Sequence, residues 1–119
     1  MGIRNMVKGL KTPVDELDRQ RVQGRFEPHR EGRVALSECP LRQKVEVIGE
    51  VSRMRVVPRA GCPSLEIVVS DGSGEATAVF HGRRRIKGIG PGQAIALCGV
   101  ARQSNGRMVF LNPAYTLLA

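Results

Sequence analysis

Between residues 44 and 117 apolar side chains recur at every second position in short runs, and Gly, Pro, Asn and Asp separate these runs. A period of two is typical of a strand that is buried on one face. The clearest turn signals are Asp71-Gly72 and Asn105-Gly106, because such dipeptides favour tight turns between paired strands. The pattern therefore predicts five strands, at residues 44–57, 65–70, 75–81, 93–103 and 108–111.

The first predicted strand is long and must bend if it belongs to a small barrel. Gly49 lies near its middle, and glycine permits the bend or bulge that such a strand needs. A change of phase near Gly49 turns Arg53 and Arg55 outward. The predicted inward-facing residues of the first and third strands are Val45, Val47, Met54, Val56, Ala76, Ala78 and Phe80. In the Gly-rich connection 82–92, we expect Ile86 and Ile89 to close one end of the barrel.

Residues 1–43 form a predicted helical arm and linker, and residues 44–119 form the predicted barrel. Thr12 and Pro13 are typical of a helix start, and Gly24 is predicted to end that helix. The polar segment 26–32 has no period and is predicted to be a mobile linker. A short helical turn is expected at residues 35–39, before Pro40.

The charge of the chain favours a polyanionic partner. The formal net charge is +8, and after residue 50 nine Lys or Arg stand against three Asp or Glu, compared with ten against eight before it. Each phosphate that Arg or Lys neutralises releases condensed counterions, so a clustered surplus promotes nucleic-acid binding. No run approaches the roughly 18 apolar residues of a membrane span, and residues 1–10 lack the apolar segment of a secretion signal. We therefore expect a cytoplasmic protein without a membrane partner.

Metal, cofactor and catalytic motifs are missing from the sequence. Cys39, Cys62 and Cys98 are odd in number and far apart, so neither a disulfide framework nor metal-ligand spacing is present. His29 and His81 have no second ligand nearby in the sequence. There is no Ser-His-Asp order with a plausible nucleophile elbow and no Cys beside a His. The sequence thus predicts no metal, no cofactor and no enzymatic activity.

Four segments of the barrel region carry a family resemblance: Gly49-Glu50-Val51, Asp71-Gly72-Ser73-Gly74, the Gly92 and Gly99 pair around Ile95 and Leu97, and Asn112-Pro113-Ala114-Tyr115. With the five strands and the Gly-rich break after the third, they resemble the oligonucleotide-binding OB-fold. The pattern is similar to small bacterial OB-fold domains such as the wedge domain of the branched-DNA helicase RecG, and to anticodon-type OB domains. The resemblance implies an all-β, five-stranded barrel that binds single-stranded or branched DNA, or RNA, across the second and third strands.

The same resemblance implies which residues bind. The loops between the first and second strands and between the fourth and fifth supply Arg59 on one side and Asn105 and Arg107 on the other. The strand face between these loops carries Arg53, Arg55, Thr77 and His81. The connection after the third strand adds Arg83, Arg84, Arg85 and Lys87, for which phosphate binding and a solvated turn are both open.

Aromatic side chains are scarce, with three Phe, one Tyr and no Trp. OB-folds that bind single strands commonly stack bases on aromatic rings. Here stacking falls to Phe110 or Tyr115, to His81, or to Arg planes. We therefore expect binding that is dominated by phosphate contacts, with weak sequence preference and a steep salt dependence.

A protein-interaction module is the alternative hypothesis. The poverty of aromatics favours it, and the outward positions predicted for Val79 and Phe110 could mark a protein contact. The edge strand 108–111 could also pair with a second copy. The sequence leaves open the oligomeric state and the choice between DNA and RNA.

Overall fold

The computed structural model describes residues 13–58 and 61–118, which form one helix and six strands. Within these residues, no helix is long and apolar enough to cross a membrane. Short 3₁₀ turns lie at Glu27–His29 and Leu36–Glu38. The helix and strands are α1 (Pro13–Phe26), β1 (Lys44–Val57), β2 (Ser64–Ser70), β3 (Glu75–His81), β4 (Ala94–Ser104), β5 (Arg107–Leu111) and β6 (Ala114–Leu118).

The first five strands close into a barrel. The first half of β1 pairs antiparallel with β4, and its second half pairs antiparallel with β2. β2 pairs antiparallel with β3, β3 pairs parallel with β5, and β5 pairs antiparallel with β4. The ring therefore runs β1-β2-β3-β5-β4 and returns to β1, which confirms the predicted all-β barrel of five strands with a short N-terminal helix.

A sixth strand was not predicted. Asn112, directly after β5, takes a φ of 46°. The Asn112 amide donates to the Val79 carbonyl oxygen at 2.7 Å, and its side-chain oxygen accepts from the His81 amide at 3.0 Å. The chain turns there and continues as β6, which pairs antiparallel with β4.

The bulge of β1 lies just past Gly49, close to the predicted position. The register with β2 shifts between Val51 and Arg53. Gly49 also permits the close approach of β2, because a Cβ at this position would lie only 3.0 Å from the Ser70 carbonyl oxygen. Val56 shares a face with buried Leu65 by register, as its predicted phase requires, but it lies near the strand end and is 43% exposed, so it is not part of the core.

The barrel interior holds one apolar core. The remaining predicted core positions of β1 and β3 are buried or packed against it, and Ile86 and Ile89 of the β3–β4 connection also contact it, as predicted. Leu36, from the 3₁₀ turn at Leu36–Glu38, is buried in the same core. Burial of these aliphatic groups stabilises the barrel by removing apolar surface from water.

The N-terminal arm packs on the barrel, and the prediction of a mobile linker at residues 26–32 is wrong in this respect. Helix α1 continues past Gly24 to Phe26, which is fully buried with Val22 against Ile48 and Ala94. Apolar contact outweighs the weak helix preference of glycine here. Ion pairs to the barrel add to this packing: Arg21 and Arg25 with Glu50, Arg30 with Asp71, and Arg33 with Glu46.

Candidate functional site

Outward-facing residues of β1, β2 and β3 form two rows across the strands. In the first row Arg53 lies opposite Val68, which in turn lies opposite Thr77. In the second row Arg55 lies opposite Glu66. Since adjacent strands are about 4.8 Å apart, the pairing places both arginines on the same face as the outward residues of β2 and β3.

Two adjoining clefts cross this face, with volumes of about 210 and 240 Å³. Arg107, at the start of β5, lines both clefts together with Arg53 and Val68. The turn before β5 thus brings a third arginine to the face built by β1 and β2. We call the following residues the arginine groove: Arg53, Arg55, Glu66, Val68, Thr77 and Arg107.

Glu66 lies at the centre of the arginine groove. Its Oε1 atom accepts a hydrogen bond from Arg55 Nε at 3.2 Å and lies 3.2 Å from Arg55 Nη2 and 3.6 Å from Arg107 Nη1. The Glu66 side chain is only 4% exposed, so the guanidinium groups offset the cost of burying its charge. In the register of β1 with β2, Glu66 lies directly opposite Arg55.

Arg53 is held less tightly than the other two arginines of the groove. Arg53 is exposed, and within residues 13–58 and 61–118 it forms no ion pair. Thr77 faces the same cleft but is itself buried, so only its groove-facing edge is available. The groove thus combines exposed guanidinium groups with the largely buried side chains of Glu66 and Thr77.

The remaining predicted cations follow β3 at its far end. His81 is exposed, and its Nδ1 lies 2.9 Å from the Ser64 hydroxyl oxygen. The Gly82 amide donates to the Pro63 carbonyl oxygen at 2.7 Å, which holds the start of the β3–β4 connection beside the β1–β2 loop. The side chains that follow are all exposed: Arg83, Arg84, Arg85 and Lys87.

Asn105 and Arg59 were both predicted to bind from the loops, and the structure describes only Asn105. Asn105 is exposed and has a φ of 52°, so its backbone forms the tight turn before β5. Arg59 lies outside the described residues.

Phe110 and Tyr115, two of the candidates for base stacking, are placed differently from expectation. Phe110 is 0% exposed in the barrel core, because its strand phase puts it opposite Ala78 and Ala101. Tyr115 is half-buried and packs edge-on against Phe80, with ring centroids 5.6 Å apart. Neither ring lines the arginine groove.

The apolar positions proposed for a protein contact are also not available. Val79 faces outward by register but is 4% exposed, and Phe110 belongs to the core. Exposed Leu111 lies opposite Val79 on β5.

A larger open cleft, about 880 Å³, lies beside the contact of α1 with the barrel and is lined by residues of both. Hydrogen bonds from Arg21 and then Arg25 hold the pKa of Glu50 below its usual range, against the opposing effect of burial. Hydrogen bonds to Glu50 and then to Asp18 raise the pKa of Arg21. The main cations of this cleft are therefore already paired, in contrast to Arg53.

No metal-binding group was found by sequence, and the part of the chain that the structure describes contains no cluster of three or more His, Cys, Asp or Glu side chains that could hold a metal ion.

Solved structures with a similar barrel identify the fold. The second OB-fold domain of replication protein A from Methanococcus maripaludis superposes with a TM-score of 0.58 at 11% identity, over 72% of this chain and 94% of that one. The barrel is an OB-fold. The S. pombe Stn1-Ten1 complex gives a TM-score of 0.53 at 16% identity, over 78% of this chain and 68% of that one.

A replication protein A heterotrimer bound to single-stranded DNA is also similar to the OB-fold of this chain. It gives a TM-score of 0.51 at 14% identity, over 77% of this chain and 70% of that one. No protein-family model and no curated protein sequence matches the chain. The comparisons support the OB-fold part of the sequence resemblance, whereas the closer similarity to the RecG wedge and anticodon-type domains stays a prediction.

Proposed function

We propose that this OB-fold binds nucleic acid in the arginine groove and has no catalytic activity of its own. Single-stranded or structured DNA is the first candidate, and RNA is the second. The observation that carries the proposal is that barrel closure gathers Arg53, Arg55 and Arg107, from two distant parts of the sequence, around adjoining clefts. OB-folds use this face, between the loops that precede β2 and β5, for oligonucleotides.

The lining of the groove favours phosphate over base recognition. Its cationic side chains suit phosphate oxygens, and Arg presents planar donors that match them. None of the described residues that line the two clefts is aromatic, so the stacking that many single-strand binders use is not available there. We therefore propose weak sequence preference and a strong salt dependence.

The similar structures add support to this proposal. One of them, the replication protein A heterotrimer, was solved with single-stranded DNA. The only Ser-His hydrogen bond seen among the described residues involves Ser64, which is fully buried. A buried hydroxyl cannot reach a polymer on the surface, which is consistent with binding without catalysis.

Titration of a labelled oligonucleotide tests the proposal. DNA and RNA strands of about 15 nucleotides cover the site size of one OB-fold, and each is titrated at low and at moderate salt. We expect binding at low salt that weakens steeply as salt rises. Absence of binding to both strands even at low salt contradicts the proposal and leaves a protein-interaction module as the function to be tested.

A pair of variants locates the binding. Arg53→Ala is expected to weaken binding and to reduce the slope of log K against log salt by about 0.7 for a single strand, the value of one phosphate contact. Lys44→Ala removes the same charge at the opposite end of β1, where Lys44 is also exposed. Equal loss of affinity in the two variants means that the net charge, and not the groove, attracts the strand.

A further inference from the structure

Glu66 is an unexpected residue on a surface that binds phosphate, because its charge has the same sign as the ligand. It is nevertheless at the centre of the groove, with one oxygen shared by Arg55 at 3.2 Å and Arg107 at 3.6 Å. Burial of the carboxylate makes these contacts persistent, since an unpaired buried charge is costly. Glu66 therefore restricts both arginines to a small set of rotamers.

The contact geometry leaves both arginines able to bind a ligand. Arg55 turns its Nε and Nη2 edge to Glu66. A guanidinium has five N–H donors, so the other edge of Arg55 keeps donors for a second acceptor. Its side chain remains 68% exposed, and that of Arg107 remains 42% exposed.

We propose that Glu66 is a positioning residue, which holds Arg55 and Arg107 as a preformed clamp for one backbone phosphate. This inference rests on the proposed function. A free arginine loses rotamer freedom when it binds phosphate, whereas an arginine that is already held loses less. Preorganisation of two side chains outweighs the repulsion between a buried, paired carboxylate and the phosphate.

Two explanations of Glu66 predict effects of opposite sign. If Glu66 only repels the ligand, Glu66→Gln, which keeps the shape and removes the charge, tightens oligonucleotide binding. If Glu66 positions the arginines, the same variant weakens binding by about fivefold, the cost of immobilising flexible side chains on binding. The measurement is the dissociation constant of the labelled DNA strand at one fixed salt concentration.

Glu75→Gln is the matched control. Glu75 lines the adjoining cleft and is exposed, and no cation in the described part of the chain lies within ion-pair distance of its carboxylate. Removal of this charge is expected to tighten binding by about twofold, as for a weak surface charge. Opposite signs for Glu66→Gln and Glu75→Gln support the positioning role, and tightening in both variants overturns it.

A double-mutant cycle separates positioning from a general structural role. Arg55→Ala is expected to cost less affinity in the Glu66→Gln background than in the wild type, because the arginine is no longer held there. Arg83→Ala, on the β3–β4 connection, is expected to have the same effect in both backgrounds. If Glu66→Gln changes the effect of Arg55→Ala on affinity no more than it changes the effect of Arg83→Ala, the clamp is overturned.

Arg55→Lys provides a test that does not depend on how Glu66→Gln folds. Lysine keeps the charge but replaces the planar fork with a single ammonium, which cannot contact Glu66 and a phosphate in the same manner. We expect weakening of about fivefold, and unchanged affinity contradicts the clamp. If the wild-type chain binds no oligonucleotide, the proposed function itself fails. If the wild type binds and Glu66→Gln increases its affinity, only the positioning role of Glu66 fails.

Discussion

At the scale of single residues, Asp71 ties the tight turn between β2 and β3 to the N-terminal arm. Its Oδ1 accepts hydrogen bonds from the amides of Ser73 and Gly74 at 2.9 and 3.2 Å. Its Oδ2 accepts from the Leu36 amide at 2.9 Å and lies 3.5 Å from Arg30 Nη1. The sequence predicted the turn, but the link to Leu36 depends on a part of the chain 35 residues away.

The titration of Asp71 gives a prediction for stability against pH. Burial alone raises the pKa of its carboxyl, but hydrogen bonds from Ser73, Leu36 and Gly74 outweigh burial and lower the pKa below its ordinary value of 3.8. A carboxyl with a lowered folded-state pKa stabilises the fold above its ordinary pKa, and this contribution is lost as the pH falls below it.

We expect Asp71→Asn to lower the free energy of unfolding by about 2 to 3 kcal/mol at pH 7, because hydrogen bonds to a buried charge are lost. The difference from wild type is expected to shrink as the pH falls below about 3.8. Urea unfolding of both proteins between pH 7 and pH 2 measures this difference. A difference that stays constant over the whole range contradicts the role assigned to the carboxylate.

Glu66 shows how far residue-level inference from sequence extends. The period of two in β2 is a local signal that puts Glu66 on the face opposite to Leu65 and Ile67. The register then sets Glu66 against Arg55. Its contact with Arg107 could not be predicted, because that contact requires closure of the barrel by β4 and β5.

At the scale of elements, β1 to β5 were predictable from the sequence, whereas β6 and the docking of the arm were not. Each of the five predicted strands has its own period-two pattern, so local sequence is enough to locate it. Helix α1 has a thin apolar stripe, and nothing in its sequence indicates that Phe26 is fully buried against the barrel. The bulge of β1 also depends on its change of partner from β4 to β2, which is a tertiary feature.

Docking of α1 gives a prediction at this scale. Phe26→Ala is expected to lower the free energy of unfolding by about 3 kcal/mol, the usual cost of removing a buried phenylalanine. Helical circular dichroism is expected to fall with it, since a helix of this length is marginal without tertiary contacts.

Leu17→Ala is the control for Phe26→Ala, because Leu17 lies on the same helix and is 64% exposed. We expect a change within about 0.5 kcal/mol for Leu17→Ala, as for other exposed positions. Urea unfolding of the three proteins gives the comparison, and a similar loss in both variants means that α1 is not docked through Phe26.

At the scale of the whole molecule, ion pairing distributes the charge unevenly over the surface. The arm offsets Glu46, Glu50 and Asp71 with arginines of its own. The groove and the β3–β4 connection keep the larger share of exposed arginines. If the proposed function is correct, this distribution is expected to steer a polyanion towards the arginine groove.

The predicted fold class is correct, and the weakest predictions concern side chains whose phase depends on how strands meet. Phe110 was proposed for stacking, but the parallel pairing of β5 with β3 turns it into the core. Local alternation cannot fix the phase of so short a strand, because a shift of one residue exchanges its two faces.

The central claim is that nucleic acid binds in the arginine groove, and NMR mapping tests it most directly. A ¹⁵N-labelled chain is titrated with an unlabelled single-stranded DNA at low salt. We predict that signals of Arg53, Arg55, Thr77 and Arg107 shift in a saturable manner while those of Lys44 and helix α1 remain in place. Saturable shifts that leave the groove unchanged and lie on α1, or no shifts at all, contradict the account.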